Sequence, residues 1–309
     1  QAGFFWQEIE QEFDAYQYAA NIGLLAPDPI TGNGYDYNKH HYLDTDVFSA
    51  FVALYWDIND RTELTVGARY TDEEKDGKIE IPYVHLFLQG SFSAPPLIDG
   101  LEFEDDNISP EIAINYYLND DVSVFAAYKE GFKSGGIDNS ALPTASLSPP
   151  DGDFGFLVYQ SEEADGFEVG MKGNFLNNSL RLNATIFTYE YTDLQVQLFN
   201  STAIQFSTFN ASALETEGLE FDLLWNTSVD GLTIRSAWAW TDTGYSEDFI
   251  NATGENLKGE DGAGSADITG YVGFTYDAEL TDNWRYNVSA DARFADDYAW
   301  TATVNPFMQ

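Results

Sequence analysis

The sequence predicts an all-β protein: an antiparallel, transmembrane, up-and-down barrel with short turns at one end and long loops at the other. Three observations predict it. Apolar and polar residues alternate with a period of two over long segments, the segments are too long for an ordinary globular sheet, and tight turns alternate with long joints.

Composition sets the limits. The chain has 309 residues, 16% of them aromatic, with 19 Tyr, 23 Phe and 7 Trp. Such a mix favours strands over helices. There is no Cys, which excludes disulfides and thiolate metal sites. Thirteen Lys+Arg stand against 52 Asp+Glu, for a net charge of −39. Nucleic-acid binding needs the opposite sign and is set aside. The acids are spread along the whole chain, which suits life in salt, with a cation-attracting vestibule as the alternative. No run of 18 apolar residues offers a membrane helix, and no signal peptide opens the chain. The opening "QAGFFWQEIEQEF" reads as a strand, so the chain is expected to be a piece of something longer.

In order, the elements follow from the pattern. After the first strand come alternating segments on either side of "INDRT" (58–62) and "LNDDV" (118–122). The strand entered at Val122 sets Val122, Val124, Ala126 and Tyr128 on one face, with Ser123, Phe125, Ala127 and Lys129 on the other. It ends at Phe132, Lys133 and a Gly135–Gly136 pair, where positive φ is expected as the chain turns into a long loop. Leu180, Leu182, Ala184 and Ile186 share a face opposite Arg181 and Asn183. Leu219, Phe221, Leu223 and Trp225 oppose Glu220 and Asp222. Leu232, Ile234, Trp238 and Trp240 oppose Thr233 and Arg235. Trp284, Tyr286, Val288 and Ala290 oppose Arg285, Asn287, Asp291 and Arg293. Further tight turns fall at 175–179, 226–231 and 280–284, all rich in Asn, Asp and Gly. Long joints are expected near 19–42, 76–100, 134–160 and 246–264, and a strand pair with an intermediate loop near 193–215. That makes roughly twelve strands.

Spans of about ten residues suit a bilayer crossing. Apolar faces that end in Trp and Tyr suit interfacial girdles, and the polar faces suit a wet lumen. A soluble sandwich or solenoid is the competing fold, with shorter strands.

Four blocks carry a family resemblance: "VGARYTDEEKDG" (Val66–Gly77), "FAAYKEGFKSGG" (Phe125–Gly136), Glu162–Gln197 and "NASALETEGLEFDLLW" (Asn210–Trp225). Together, in this order, they resemble the C-terminal barrel portion of TonB-dependent outer-membrane receptors. A later stretch, "ENLKGEDGAGSADITGYVGFTYD", departs from the family by reading Gly-Ala-Gly-Ser where Pro is common. The resemblance implies part of a barrel of about 22 strands in the outer membrane of a Gram-negative bacterium, surrounded by outer-membrane lipid. It leaves residues 1–309 as an incomplete barrel, with the plug, the segment that meets TonB and the terminal strand not matched. The implied function is energy-coupled uptake of a scarce large solute, a ferric siderophore or other iron complex first. The alternatives are an oligosaccharide or cobalamin importer of the same family, sometimes served by a surface lipoprotein, or a passive porin-like or structural barrel.

Candidate sites follow. His40 and His41 stand beside Asp44 and Asp46, and neighbours on a strand point oppositely, so both would serve one ligand only from a loop. The identity of any metal there is left unknown. Loop aromatics Phe154, Phe156, Tyr159, Tyr245 and Phe249 could stack on a ligand or brace the loops on one another. Lys129, Glu130, Lys133, Arg181, Arg235, Arg285 and Arg293 are expected at the lumen or rim, mostly in structural charge pairs. The Asp-Gly runs in 151–166 and 247–267 could hold a structural Ca²⁺, with solvated loop as the default. Nothing resembles a phosphate loop, and three histidines so placed offer no Ser-His-Asp arrangement, so no enzyme is expected.

Overall fold

The computed structural model describes residues 1–17, 26–144, 147–200, 205–211, 213–251 and 254–299. Eleven strands form one antiparallel sheet in which each strand pairs with its neighbours in the sequence of long strands. They are β1 (Ala2–Gln17), β2 (Tyr37–Asn59), β3 (Thr62–Val84), β4 (Leu97–Tyr117), β5 (Val122–Lys133), β8 (Glu162–Phe175), β9 (Leu180–Thr192), β12 (Leu214–Asn226), β13 (Leu232–Tyr245), β14 (Ile268–Thr281) and β15 (Trp284–Ala295). Four short strands pair within the long loops: β6 (Gly136–Ile137) with β7 (Val158–Tyr159), and β10 (Gln195–Asn200) with β11 (Gln205–Asn210). The sequence count of roughly twelve therefore merges eleven long strands with the loop ribbons. Among the described residues β1 and β15 each pair on one side only.

All five tight turns lie at one end of the sheet, where sequence reading places them. At the 175–179 turn, Leu176, Asn177 and Asn178 all take positive φ (53, 56 and 65°), a conformation Asn tolerates better than most residues. At the other end the strands are longer than alternation alone suggests. β3 runs to Val84 and β4 starts at Leu97, so the joint expected at 76–100 shrinks to 85–96. Likewise β2 begins at Tyr37, which puts His40 and His41 on a strand and not in a loop.

One face of the sheet is apolar and bare. Leu54, Trp56, Ile112, Val169, Ile186 and Trp240 on it are between 50 and 63% exposed, with no second sheet over them. A soluble protein does not leave an apolar surface of this extent in water. On β2 the apolar side chains run from Phe48 to Trp56, about 26 Å at about 3.3 Å per residue, the height of a hydrocarbon band. Aromatic residues rim it: Trp56, Tyr116 and Trp225 near the turns, Trp6, Phe48, Tyr128, Phe167 and Trp240 toward the loops.

Just past that upper rim, the next residue on the same face is an acid on eight strands: Glu8, Asp46, Asp72, Asp106, Glu130, Asp165, Glu217 and Asp242. On β1 to β4 the acids continue into cross-strand rows. Glu10, Asp44, Asp76 and Glu102 lie directly opposite one another, as do Glu8, Asp46, Glu74 and Glu104. Much of the negative charge thus lies on the outward face above the apolar band and not on the face a vestibule would use.

The polar face carries the folded loops. Its main apolar cluster joins Ile79, Ile81, Ile98 and Leu101 of the β3–β4 extension to Ile137, Ala141, Leu147 and Leu157 of the loop between β5 and β8. A second cluster holds Leu214, Tyr245, Phe249 and Leu257.

Candidate functional site

The loop end of the polar face is where one would look for a solute, and its geometry comes from a few anchored side chains. Lys39 of β2 is 3% exposed. Its ammonium donates to the carbonyl of Ala141 at 2.8 Å and to that of Asn139, which ties the 134–161 loop across the face. Burial pulls its pKa down to about 8, against the attraction of Asp138. His41, two residues along on the same face, is as deeply buried. Burial and the Lys39 charge hold it neutral, with a pKa of about 4, and its Nε2 has no hydrogen-bond partner.

Asp138 serves as the hub of the loop. Its carboxylate accepts from the amides of Ser140 at 2.8 Å and of Thr208 on β11 at 2.9 Å. Lys75 closes the other side: it pairs with Glu73 at 2.9 Å and donates to Ser134 Oγ at 2.9 Å and to the Gly135 carbonyl at 2.5 Å. Gly135 has no room for a side chain, since a Cβ there would lie 2.3 Å from the Tyr159 carbonyl and 2.4 Å from the Phe103 ring. The glycine is required by close approach and not by positive φ, which neither Gly135 nor Gly136 adopts. Gln195 Nε2 then donates to the carbonyls of Ser134 (3.0 Å) and Gln160 (3.1 Å), joining this loop to the β10–β11 ribbon. At the edge, Asp28 accepts from the amides of Ile30, Thr31 and Leu86 and from Tyr83. Those backbone donors, Thr31 and Leu86 foremost, hold its carboxyl well below the usual carboxylate range.

Below the loops the polar face carries charge pairs. Lys129 meets Glu168 at 3.1 Å, and Glu168 also accepts from Tyr189 at 2.5 Å. Lys133 lies 3.7 Å from Glu162. Arg285 makes a two-pronged contact with Glu279, at 2.6 and 3.0 Å, and Arg293 lies 3.8 Å from Asp291. Arg181 and Arg235 share this polar face. Glu130 alone of the seven points the other way, at the upper rim of the apolar band beside Asp165, where Tyr128 donates to it.

The family model described as "TonB dependent receptor-like, beta-barrel" matches residues 2–308. The chain belongs to this family of outer-membrane receptor barrels. Its fold is similar to that of the ferric yersiniabactin uptake receptor FyuA from Yersinia pestis, with a TM-score of 0.72 at 14% identity, over 97% of this chain and 40% of that one. It is also similar to the siderophore receptor PiuA from Acinetobacter baumannii (TM-score 0.59, 15% identity, 96% and 43% covered). The same holds for the copper transporter OprC (TM-score 0.59, 13% identity, 94% and 49% covered). The chain therefore spans less than half the length of each of these proteins.

Within a receptor barrel the apolar face is the lipid-facing band of the outer membrane, the polar face is the lumen and the long loops are extracellular. The sequence-picked aromatics divide on these terms. Tyr245 and Phe249 are 3 and 4% exposed, at ring centroids 5.2 Å apart, and brace the second loop cluster. Tyr159 pairs with Gly136 in the β6–β7 ribbon, and Phe154 packs against the main cluster. Phe156 is 51% exposed. His40 and His41 are separated by the sheet, His41 lumenal and His40 outward. Among the described residues the converging group of three His and carboxylate side chains is Glu12, Asp14 and His40, not either Asp-Gly loop. No local pattern in the sequence marks Lys39, Lys75 or Asp138 as loop anchors: the two lysines stand out only by scarcity, among 13 Lys+Arg against 52 Asp+Glu, and Asp138 not at all.

Proposed function

We propose that this chain is the barrel portion of an energy-coupled outer-membrane receptor that imports a scarce large solute, with a ferric siderophore or other iron complex first. What supports this is the family match over 2–308, taken with long loops that are anchored on the extracellular end of the lumenal face. Here the 134–161 loop is strapped across the wall by Lys39, Lys75 and Asp138, which suits capture of a ligand more than free diffusion. FyuA and PiuA are siderophore receptors by description, and that direction is carried over to this chain as part of the proposal. The rest of the relatives' length would bring the plug, the TonB-contacting segment and the strands that close the barrel. Solute chemistry is accordingly bound, not covalently altered, and Phe156 is the loop aromatic best placed to touch it.

The test is uptake of iron-55 by cells that carry the full-length gene as their sole receptor, offered a panel of ferric siderophores. Uptake of one of them that disappears in a strain lacking TonB is the expected result. Ion conductance in planar bilayers with TonB-independent uptake would establish the porin-like alternative instead.

A further inference from the structure

We propose that Glu12, Asp14 and His40 form a binding site for a borderline divalent transition-metal ion of the Zn²⁺ and Cu²⁺ class, on the outward face of the barrel above the lipid band. The ligand atoms of the three side chains lie within 4.8 Å of one another. Asp14 stands directly opposite His40 in the β1–β2 register, and Glu12 occupies the next outward position on β1. The His40 Nδ1 atom meets a carboxylate oxygen of Asp14. A metal at about 2.0–2.2 Å from each donor needs them roughly 3.4 Å apart, within reach of side-chain rotation.

The buried Asn38 behind the His40 ring singles out this cluster from the chain's many acids. The other ring nitrogen, Nε2, lies 3.0 Å from the side-chain amide of Asn38. Asn38 is 8% exposed, and its Oδ1 has no hydrogen-bond partner. Turned about its last torsion, that oxygen accepts from Nε2–H, and the ring then offers an Nδ1 lone pair to a metal. A ligating histidine whose second nitrogen donates to a carbonyl is the usual arrangement. The ring is also held in place by aromatic neighbours, Tyr16 edge-on and Tyr42 stacked, each with its centroid 6.4 Å away.

Charge favours the same assignment. Glu80, opposite His40 on β3, is already engaged by Lys78 at 2.8 Å, whereas Glu12 and Asp14 bring two carboxylates with only the imidazole between them. An imidazole donor selects against Ca²⁺ and Mg²⁺, which want oxygen, and for the later first-row metals. His40 lies eight residues beyond Phe48, about 26 Å along the strand, and is clear of the lipid band. It lies on the opposite face from the lumen, so a cation bound here is not a solute in transit. The site clamps β1 to β2 at the extracellular end.

The experiment uses the full receptor in detergent, stripped with a chelator. Electron paramagnetic resonance with one equivalent of Cu²⁺ should show nitrogen coupling from a single imidazole. Titration calorimetry with Zn²⁺ should find one site that a hundredfold excess of Ca²⁺ does not displace. His40→Ala should abolish the nitrogen signal and weaken Zn²⁺ at least tenfold. Asn38→Leu should weaken it while retaining the nitrogen signal, and His41→Gln should change neither. An oxygen-only Cu²⁺ spectrum in the unmodified receptor overturns the proposal and leaves a His40–Asp14 ion pair alone. Since that spectrum needs no variant, a poorly folding mutant does not protect the idea. Displacement by Ca²⁺ would overturn it equally.

Discussion

Replacing Lys39 by Met tests whether one buried ammonium holds the 134–161 loop in place. Met keeps the apolar stem but removes the donor, leaving the carbonyls of Asn139 and Ala141 without their partner, at about 1–3 kcal/mol each. Against that stands the cost of holding a charge where the pKa has fallen from 10.5 to about 8, a gap worth about 3 kcal/mol. At neutral pH the two effects offset each other, so the variant looks mild. The pH dependence separates them. Between about 8 and 10.5 the opened loop, with Lys39 in water, binds more protons than the closed one. Stability of the closed loop therefore rises with pH in the native protein, by about 2 kcal/mol from pH 7 to 9.5. That is close to a thirtyfold drop in the opened population. Cleavage within the loop by a protease active over this range reads the population directly when reclosing is fast. Native protein should become more resistant by that factor relative to Lys39→Met. Parallel pH profiles for the two proteins would refute the argument, because they would mean that Lys39 carries no buried charge.

The sign is the same at His41: with its pKa lowered from 6.5 to about 4, closed-loop stability falls as pH drops through that window, by roughly 2–3 kcal/mol at pH 4.5. His41→Leu should flatten the acid limb of the same proteolysis profile. Gly135→Ala places a methyl against the Tyr159 carbonyl and the Phe103 ring, so the loop should be displaced and cleaved faster even at neutral pH. Ile186→Arg puts a charge on the lipid face at a cost of about 2–4 kcal/mol, whereas Thr185→Lys, facing Glu220 on the polar face, should be tolerated. Heat-modified gel migration after refolding into lipid reads both. Asp76→Lys relieves repulsion from Asp44 and Glu102, roughly 0.2–1 kcal/mol per pair, so it should raise the melting temperature in low salt and lose the advantage in high salt.

The alternation of residues such as Leu180, Leu182 and Ile186 against Arg181 and Asn183 assigns each strand its lipid and lumen faces, because the side-chain period of a strand is two and does not depend on its partner. Tight turns were equally plain, since Asn, Asp and Gly mark them locally. Loop ends were less so: β3 runs on to Val84 and β4 starts at Leu97, because the run from Asp72 to Gly77 is polar on both faces and interrupts the alternation before Ile79 and Ile81 resume it against the loop cluster.

The anchoring of the loops depends on contacts made at long range. Lys39 is bound to carbonyls a hundred residues away, and no local pattern announces a contact of that range. His40 and His41 read as a pair in the sequence and are divided by the sheet. Asp14 and His40, 26 residues apart, become neighbours through the register of β1 on β2. Which way each strand residue faces follows from the order of residues alone, because it is a property of the extended backbone. Which distant groups share a site depended on register and loop return, and these are set by the whole sheet.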